Sequence, residues 1–201
     1  MSFWENTRKP VGLGGKLMVS LMNLGHSPVA WWGLRFLNVA PDAKVLDCGC
    51  GGGANIKRLL KKCPQGIVKG IDYSPVSVEK SQRVNADAIA KGRCTILQGS
   101  VAKMIFAEGW FDAVTAFETV YFWPELPQCF HEIHRMLKPG GMFLICNESS
   151  GDTDKDEKWT KIIDGMTIYK DIELKAYLEQ AGFHDVQIQK KKSWLCVTAR
   201  K

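Results

Sequence analysis

Short apolar runs recur along the chain and alternate with longer stretches of mixed polarity. Turn and helix signals separate most of them: Ser74-Pro75 reads as an N-cap followed by a first-turn proline, and the segment 138–141 (KPGG) closes a helix. Runs of this length, rich in β-branched residues, are typical of buried strands. The pattern predicts a parallel α/β sheet with helices on both faces and right-handed crossovers. The five runs are at 44–48, 67–72, 94–98, 111–117 and 142–147.

The C-terminal part follows a different pattern. After a predicted helix at about 171–181, the runs HDVQIQ (184–189) and WLCVTAR (194–200) are separated only by three lysines and Ser193. This link is too short for a parallel crossover. We therefore expect the two runs to pair antiparallel at one end of the sheet.

The segment before the first run contains two predicted helices, near 14–24 and 28–38, and the second includes Trp31 and Trp32. Two interpretations are open. The helices cap a site as a lid, or they pack on the sheet as amphipathic helices. The expected organisation is one structural domain, with residues 1–40 as a helical lead-in and 41–201 as the α/β core.

Composition is that of a globular chain with one core: 201 residues, 45% hydrophobic and 24% charged. No apolar stretch reaches the roughly 20 residues that span a bilayer, and the start MSFWENTRKP is too polar for a signal peptide. The seven cysteines form no CxxC pair, which favours free thiols in a reducing compartment. We expect a cytoplasmic monomer or homodimer without membrane attachment.

The net charge of +6 comes from scattered basic residues, and only Lys190, Lys191 and Lys192 are clustered. Three lysines beside a strand are more typical of a solvated sheet edge than of a nucleic-acid patch. A nucleic-acid partner is therefore not expected.

The segment VLDCGCGGGANIKRLL at 45–60 ends an apolar run in an acid and then places four glycines before a helix. In an open parallel sheet, ligands bind beyond the carboxyl ends of the strands. Glycines there let the backbone approach a ligand, and a helix starting near Ala54 offers free N–H groups. The spacing Gly49-x-Gly51-x-x-Ala54 also fits a dinucleotide fingerprint, so the glycines alone leave a nicotinamide cofactor open.

Two acids narrow the choice of ligand. Asp47, directly before the glycines, would repel a pyrophosphate but would attract an ammonium group. Asp72 ends the second run, where a carboxylate can accept both hydroxyls of a ribose. A ligand with an amino-acid ammonium at one end and a nucleoside at the other satisfies both acids, and S-adenosylmethionine is such a ligand. The alternative for Asp47 is a structural carboxylate that caps the amides of the loop.

Four segments in order resemble the motifs of class I S-adenosylmethionine-dependent methyltransferases: DCGCGGG at 47–53, GIDYSP at 70–75, FDAVTAFETVYFWPE at 111–125 and EIHRMLKPGGMFLI at 132–145. The segment at 8–26 is similar to the lead-in of a broad group of small bacterial methyltransferases of this class. The resemblance implies a Rossmann-like three-layer α/β/α sandwich. It also implies a mostly parallel seven-stranded sheet with an antiparallel final strand.

The same resemblance implies the positions that contact the cofactor. Asp47 and Gly49 would hold the methionyl end, Asp72 the ribose, and Tyr73 the adenine. The family's Gly-Asp-Ala after the third strand is here Gly99-Ser100-Val101, and serine accepts a hydrogen bond more weakly than a carboxylate. The full implied set is Asp47, Cys48, Gly49, Gly51, Asn55, Asp72, Tyr73, Ser74, Gly99, Ser100, Val101, Phe117 and Glu118.

Methyl transfer from an activated sulfonium depends mainly on alignment, and a base is needed only where the nucleophile must lose a proton. The candidates are Glu118, Tyr121 and His26, with alternatives for each. Glu118 can instead orient the cofactor, and His26 can be a cap or a surface residue. The aromatic stretch 121–123 forms either a wall of the acceptor pocket or packing under the next helix.

No metal site is expected. Cys48 and Cys50 lack the spacing of a zinc site, and His131 and His134 fall in a predicted packing helix. The acidic run at 152–158 lacks the offsets of a calcium loop.

The acceptor is expected to be a small molecule. The chain has Phe117-Glu118-Thr119-Val120 where methyltransferases of bases and glutamine amides carry an Asn/Asp-Pro-Pro-aromatic motif. The sequence does not separate oxygen, nitrogen, sulfur and carbon acceptors. Two other functions stay open: an NAD(P)-dependent oxidoreductase that uses the same glycine loop, and a non-catalytic S-adenosylmethionine-binding protein, which Ser100 would favour.

Overall fold

The structure is a computed structural model that describes Gly12, Gly14 and residues 25–201, with the side chains of residues 154, 155 and 157 left out. The strands of this part form one seven-stranded sheet in the order β3-β2-β1-β4-β5-β7-β6. Strands β1 to β5 are parallel where they pair, and β7 is antiparallel to both β5 and β6. The strands are β1 (Lys44–Cys48), β2 (Ile67–Asp72), β3 (Cys94–Gln98), β4 (Phe111–Phe117), β5 (Leu137–Asn147), β6 (His184–Lys191) and β7 (Trp194–Arg200).

One helix of the described part precedes β1 and the others lie between strands, with a short 3₁₀ helix at Val120–Phe122. The predicted α/β fold, with its antiparallel last strand, is confirmed. The helices of the described part are α1 (Ser27–Gly33), α2 (Ala54–Lys62), α3 (Pro75–Val84), α4 (Ala86–Ala90), α5 (Leu126–Met136), α6 (Asp154–Ile162) and α7 (Asp171–Gln180).

Two apolar cores lie on opposite faces of the sheet. Along β5, Phe143 and Ile145 belong to one core and Leu144 and Cys146 to the other, because successive side chains of a strand point to opposite faces. The first core includes residues of α5 and α7, and the second includes residues of α1 and α2. Helices therefore cover both faces, as a three-layer sandwich requires.

The predicted helix at 28–38 is shorter in the structure, since α1 ends at Gly33. A Cβ built at Gly33 would lie 2.4 Å from Cys146 Sγ, so this helix end packs directly on β5. Helix α1 therefore packs on the sheet, and it also lines the cavity described below through Val29 and Ala30. The predicted helix at 14–24 lies outside the described residues apart from Gly14, and the division at residue 40 stays a prediction.

Helix α5 ends at Met136, before the KPGG turn that was expected to close it. Leu137 already has an extended backbone. The next residue, Lys138, precedes Pro139, and a proline ring disfavours helical backbone in the residue before it. Strand β5 therefore starts at Leu137, with an irregular register against Phe111–Ala113.

Strand β6 forms one edge of the sheet, and Lys190 on it contacts Asp152 and Asp171 at 2.7 and 2.8 Å. This placement agrees with the interpretation of the lysine cluster as a solvated edge. Among the described residues, no helix is both long enough and apolar enough to cross a bilayer.

Candidate functional site

A cavity of about 420 Å³ lies beyond the carboxyl ends of β1, β2 and β4. Its volume falls within the roughly 300–1,000 Å³ of small-molecule sites. The start of α1 forms one wall through Val29 and Ala30, and the start of α2 forms another through Ala54 and Asn55. Ten of the predicted cofactor residues line it: Gly49, Gly51, Asn55, Asp72, Tyr73, Gly99, Ser100, Val101, Phe117 and Glu118.

The glycine loop after β1 is held against the end of β2. The N–H groups of Gly49 and Cys50 both donate to the Ile71 carbonyl, at 2.8 and 3.1 Å. Gly49 has φ +74°, and a Cβ there would lie 2.0 Å from Thr119 Oγ1. Glycine is therefore required at position 49 by both backbone conformation and space.

Asp47 lies beneath this loop and is 1% exposed, so it does not line the cavity. This corrects the prediction that its side chain contacts the methionyl end directly, and leaves an effect of its charge through the loop. Its Oδ1 accepts a 2.8 Å hydrogen bond from the Thr115 hydroxyl. Burial, helped by the nearby charge of Asp72, raises the pKa of Asp47 to about 7, although Thr115 and Arg58 oppose the shift. A carboxylate in this position would gain from a cationic group placed in the cavity.

Asp72 lines the cavity and is 8% exposed. Its Oδ1 accepts from the Ser74 N–H at 2.9 Å and its Oδ2 from the Gly51 N–H at 2.8 Å. Burial raises the pKa of this carboxyl although both backbone bonds favour its charged form. Each oxygen retains acceptor capacity, so Asp72 can bind two hydroxyls while it holds the loop.

Two further residues of the predicted cofactor set do not line the cavity. Ser74 is fully buried, and its side chain accepts from the Ser77 N–H as the N-cap of α3. Cys48 is fully buried in the core formed with α5 and α7. Because both side chains are buried away from the cavity, neither can contact a ligand there. The predictions that the side chains of Ser74 and Cys48 bind the cofactor are therefore corrected.

The end of β3 contributes Gly99, Ser100 and Val101 to the cavity, as predicted. The Ser100 Oγ accepts a 3.3 Å hydrogen bond from the Ala102 N–H. Tyr73, 40% exposed, stands at the rim, where its ring is placed to cover a flat group.

Glu118 follows β4 with a left-handed φ of +57°, which is uncommon for a residue with a side chain. Its Oε1 accepts from the Glu148 N–H, and its Oε2 lies 3.7 Å from His26 Nδ1. The same Nδ1 lies 3.3 Å from Glu148 Oε2. The three side chains have donor or acceptor atoms within 4.8 Å of one another and can share one proton or one small cation.

The pKa values of this group respond to burial and to one another. Burial raises the pKa of Glu118 to about 7, while the charge of His26 opposes the shift. Burial alone would lower the pKa of His26, but Glu148 and Glu118 outweigh it and raise that pKa above its usual value. Two of the three predicted bases, Glu118 and His26, are therefore neighbours at the cavity.

Tyr121, the third predicted base, is placed differently. It is 3% exposed and does not line the cavity, and its hydroxyl accepts from the Ser149 N–H at 3.0 Å. Burial and the nearby Glu118 raise its pKa well above the usual range, so the phenol stays protonated and cannot accept a proton. The geometry makes Tyr121 a support for Glu118 and does not support its role as a base.

Of the aromatic residues 121–123, two form a wall of the cavity and one packs beneath it, so each of the two interpretations holds for part of the stretch. Phe122 and Trp123 line the cavity together with Phe117, whereas Tyr121 packs beneath. The Trp123 Nε1–H donates to Thr119 Oγ1 at 3.1 Å, which fixes the indole beside Gly49. The result is an apolar wall next to Glu118.

Sequence reasoning missed Arg58, Thr115 and Glu148. Arg58 lines the cavity, its Nη1 donates to Asn55 Oδ1 at 2.7 Å, and its guanidinium also contacts Ser27 and the Trp31 ring. The i,i+3 spacing of Asn55 and Arg58 on the helix after the glycine loop could have indicated the pair. Glu148 follows β5 as Glu118 follows β4, so the rule on strand ends could have found it.

Cys48 and Cys50 form no ligand cluster in the described part of the chain, nor do His131 and His134. All seven cysteines are free and buried. Burial raises the pKa of the Cys48 and Cys50 thiols well above the usual range, so neither is a thiolate.

Comparison with known proteins agrees with this geometry. Residues 46–145 match the family model described as a methyltransferase domain. The chain is 34% identical over 109 residues to cycloartenol-C-24-methyltransferase 1 of Oryza sativa subsp. japonica, which covers 54% of this chain and 31% of that protein. It is 28% identical over 162 residues to 24-methylenesterol C-methyltransferase 3 of Arabidopsis thaliana. This alignment covers 75% of this chain and 44% of that protein.

The chain thus spans less than half the length of these curated relatives. Among solved structures, a SAM-dependent methyltransferase from Aquifex aeolicus has the same fold. Its TM-score is 0.74 at 20% identity, over 90% of this chain and 97% of that one.

Proposed function

Because the chain belongs to the class I S-adenosylmethionine-dependent methyltransferase family, we propose that it binds S-adenosylmethionine and transfers the methyl group to a small molecule. The observation that carries the proposal is the pair Asp47 and Asp72. Both acids lie at the glycine loop, one beneath the cavity and one in its wall. This arrangement suits a ligand with a cationic amino-acid end and a ribose.

The residues present fit this cofactor. The cavity is large enough for a nucleoside with an amino-acid tail, and the glycine at position 49 lets the loop lie close to it. Asp47 is buried without a cationic partner in hydrogen-bond contact, so an ammonium group would stabilise its charged form. Asp72 keeps acceptor capacity for ribose hydroxyls, and Tyr73 at the rim can cover the adenine.

When bound, the cofactor supplies an electrophilic methyl group on a sulfonium. The chain's part is to align an acceptor with that methyl and to exclude water. Phe117, Phe122 and Trp123 form the apolar wall that would hold the acceptor. Glu118 stands at the edge of this wall, where it can receive a proton.

The acceptor that we propose is an apolar small molecule. Val29 and Ala30 of α1 add further apolar lining to the cavity beside the aromatic wall. The relatives from Oryza sativa and Arabidopsis thaliana are named as C-methyltransferases of cycloartenol and of 24-methylenesterol. Sterols are therefore the first compounds to test. The seven free thiols support a reducing, cytoplasmic location.

Calorimetric titration with S-adenosylmethionine, S-adenosylhomocysteine and NAD tests the cofactor. We expect binding of the first two and none of NAD. Asp72→Asn should weaken binding at least tenfold, whereas Asp87→Asn, on the exposed surface of α4, should leave it unchanged. Binding of NAD alone would favour the oxidoreductase instead and would end the proposal.

Transfer of a labelled methyl group tests the acceptor. The panel contains cycloartenol, other sterols, and polar amines and phenols of similar size. We expect label in an apolar compound, and we expect Phe122→Ser to reduce transfer while cofactor affinity stays unchanged. Cofactor binding without transfer to any compound would favour the non-catalytic binding protein, and transfer only to polar amines would contradict the apolar acceptor.

A further inference from the structure

Three titratable side chains from separate segments meet at one end of the cavity. His26 precedes α1, Glu118 follows β4, and Glu148 follows β5. The His26 Nδ1 lies 3.3 Å from Glu148 Oε2 and 3.7 Å from Glu118 Oε2. Although this Nδ1 is buried, it forms no well-aligned hydrogen bond, so the ring is held by position and charge.

The three groups differ in their access to solvent. The Glu118 side chain is 11% exposed, whereas those of His26 and Glu148 are 34% and 36% exposed. Glu118 also lines the cavity, as does His26. The cluster therefore joins the least exposed carboxylate, at the proposed acceptor position, to two side chains that are about one third exposed.

Among the described residues, four titratable groups interact with Glu118. They are the imidazole of His26, the carboxylate of Glu148, the hydroxyl of Tyr121 and, on β5, the thiol of Cys146. The hydroxyl and the thiol are neutral because their pKa values are raised, and of the four groups His26 alone can carry a positive charge. Two carboxylates beside a neutral histidine would place two negative charges at a largely desolvated site, which favours retention of a proton within the cluster.

Methyl transfer to a neutral hydroxyl or to a carbon–carbon double bond has a fixed proton balance. The acceptor gives an electron pair to the methyl carbon, the carbon–sulfur electron pair stays on sulfur, and the methylated acceptor, an oxonium or a carbocation, loses one proton. A methylated amine can instead keep its protons as an ammonium. The proton that an oxonium or a carbocation loses must leave the part of the cavity lined by Phe117, Phe122 and Trp123, none of which can accept it.

We propose that Glu118 takes up this proton and that His26 and Glu148 pass it to solvent. Glu118 is the residue that meets the acceptor, and the other two are positioning residues that act through it. The inference rests on the proposed methyl transfer and adds a route for the proton to that reaction.

The route is coupled to the charge of the cofactor. A bound sulfonium favours the ionised form of Glu118, so the carboxylate is ready to accept a proton before transfer. Transfer removes that positive charge from the cavity, and the affinity of Glu118 for a proton rises at the moment when the acceptor must lose one. The proton content of the cluster is therefore expected to depend on whether the methyl group is present.

Proton counting by calorimetry tests this without a known acceptor. Titrations near pH 7 in buffers of different ionisation enthalpy give the protons released on binding of S-adenosylmethionine and of S-adenosylhomocysteine. Asp47 responds to the ammonium group that both ligands carry, so its contribution cancels in the difference. Because the pKa of Glu118 is about 7, we expect the sulfonium ligand to release up to about half a proton more.

Variants separate the possible outcomes. Glu118→Gln should abolish the difference between the two ligands, and Glu179→Gln, an exposed acid on α7, should preserve it. In an NMR titration of the histidine rings, Glu118→Gln and Glu148→Gln should each lower the pKa of His26. Equal proton release by both ligands in the wild type, or a His26 pKa unchanged in both variants, would overturn the route.

The same measurements distinguish a failure of the proton route from a failure of the proposed methyl transfer. If neither ligand binds, the proposed methyl transfer fails and the proton route fails with it. If both bind and release equal numbers of protons, only the route fails. Tight binding of Mn²⁺ that His26→Gln abolishes would also overturn it, because the same three groups would then hold a cation.

Discussion

The Thr115 hydroxyl donates a 2.8 Å hydrogen bond to Asp47 Oδ1 in the interior of the protein, beneath the glycine loop. One such bond is too little to offset the desolvation of a carboxylate, and the pKa of Asp47 is therefore raised to about 7. The acid at the proposed cofactor site thus lowers the stability of the protein without ligand. Its ionised form is useful only when a cation is bound.

Asp47→Asn should raise thermal stability at pH 8 and weaken cofactor binding. A pKa raised in the folded state means that the stability associated with Asp47 is fully present below its ordinary value of 3.8 and is lost as the pH rises through about 7. The gain at pH 8 is a few kcal/mol at most, since one pKa unit corresponds to about 1.4 kcal/mol. Melting curves from pH 4 to pH 8 should show a difference between variant and wild type that grows with pH.

Asp112→Asn is the matched control with the opposite sign. Although burial alone would raise the pKa of Asp112, the Lys138 ammonium and the Lys44 N–H outweigh it and lower that pKa. This variant should be less stable than the wild type at neutral pH, and its deficit should shrink as the pH falls through the pKa of Asp112. Parallel trends for the two variants would contradict the assignment of Asp47.

Gly49→Ala should destabilise the protein by at least twice as much as Gly92→Ala. Both glycines have a left-handed φ, +74° and +69°, which costs about 1–2 kcal/mol for alanine. A Cβ meets Thr119 Oγ1 at 2.0 Å at position 49 and has no neighbour within 4 Å at position 92. Urea unfolding measures both, and Thr119→Ala should recover part of the loss in the Gly49 variant only.

Gly33→Ala tests the contact between α1 and β5. Alanine is favoured over glycine in a helix by about 1 kcal/mol, so the substitution would stabilise α1 if space allowed. A Cβ at position 33 would lie 2.4 Å from Cys146 Sγ, so we expect destabilisation instead. In a Cys146→Ala background the loss should become much smaller. Equal losses in both backgrounds would show that the thiol is not the obstacle.

Arg58→Gln should weaken cofactor binding most at low pH. The guanidinium favours the ionised form of Asp47, so its removal raises the pKa of Asp47 further. The proposed ammonium group would then lie near an acid that is more often neutral at pH 6. Calorimetric titrations at pH 6, 7 and 8.5 should show a loss that decreases with pH, and Arg58→Lys should keep most of the affinity. A loss independent of pH would indicate a direct contact with the ligand.

The sheet could be predicted from the sequence because its signals are local. The first four predicted strands match β1 to β4 in extent, and the short link after Gln189 indicated an antiparallel pair. The close packing of α1 on β5 could not be predicted, because it joins Gly33 to Cys146, more than one hundred residues away. The apolar periodicity used for the prediction ran to residue 38, whereas α1 ends at Gly33.

In the candidate site too, local signals could be predicted from the sequence and long-range contacts could not. Asp47, Asp72 and Glu118 were found because each lies within one residue of the end of a strand, and the ends of parallel strands meet at one edge. Tyr121 and Phe122 are neighbours in sequence, yet only Phe122 lines the cavity, because the 3₁₀ helix turns the two side chains in different directions. Arg58 was missed because its partners Ser27 and Trp31 lie on a segment far away in sequence.

The position of β7 sets an order of assembly for the chain. This strand lies between β5 and β6, although it is made after both. During synthesis, the outer edge of β5 at residues 142–147 stays unpaired until residues 194–200 are available. An unpaired apolar strand edge is a template for aggregation. A nascent chain that pauses anywhere between residues 147 and 194 would therefore expose an unpaired, aggregation-prone edge on its first five strands. Once synthesis resumes and β7 pairs with β5, this edge is covered and holding chaperones are no longer needed.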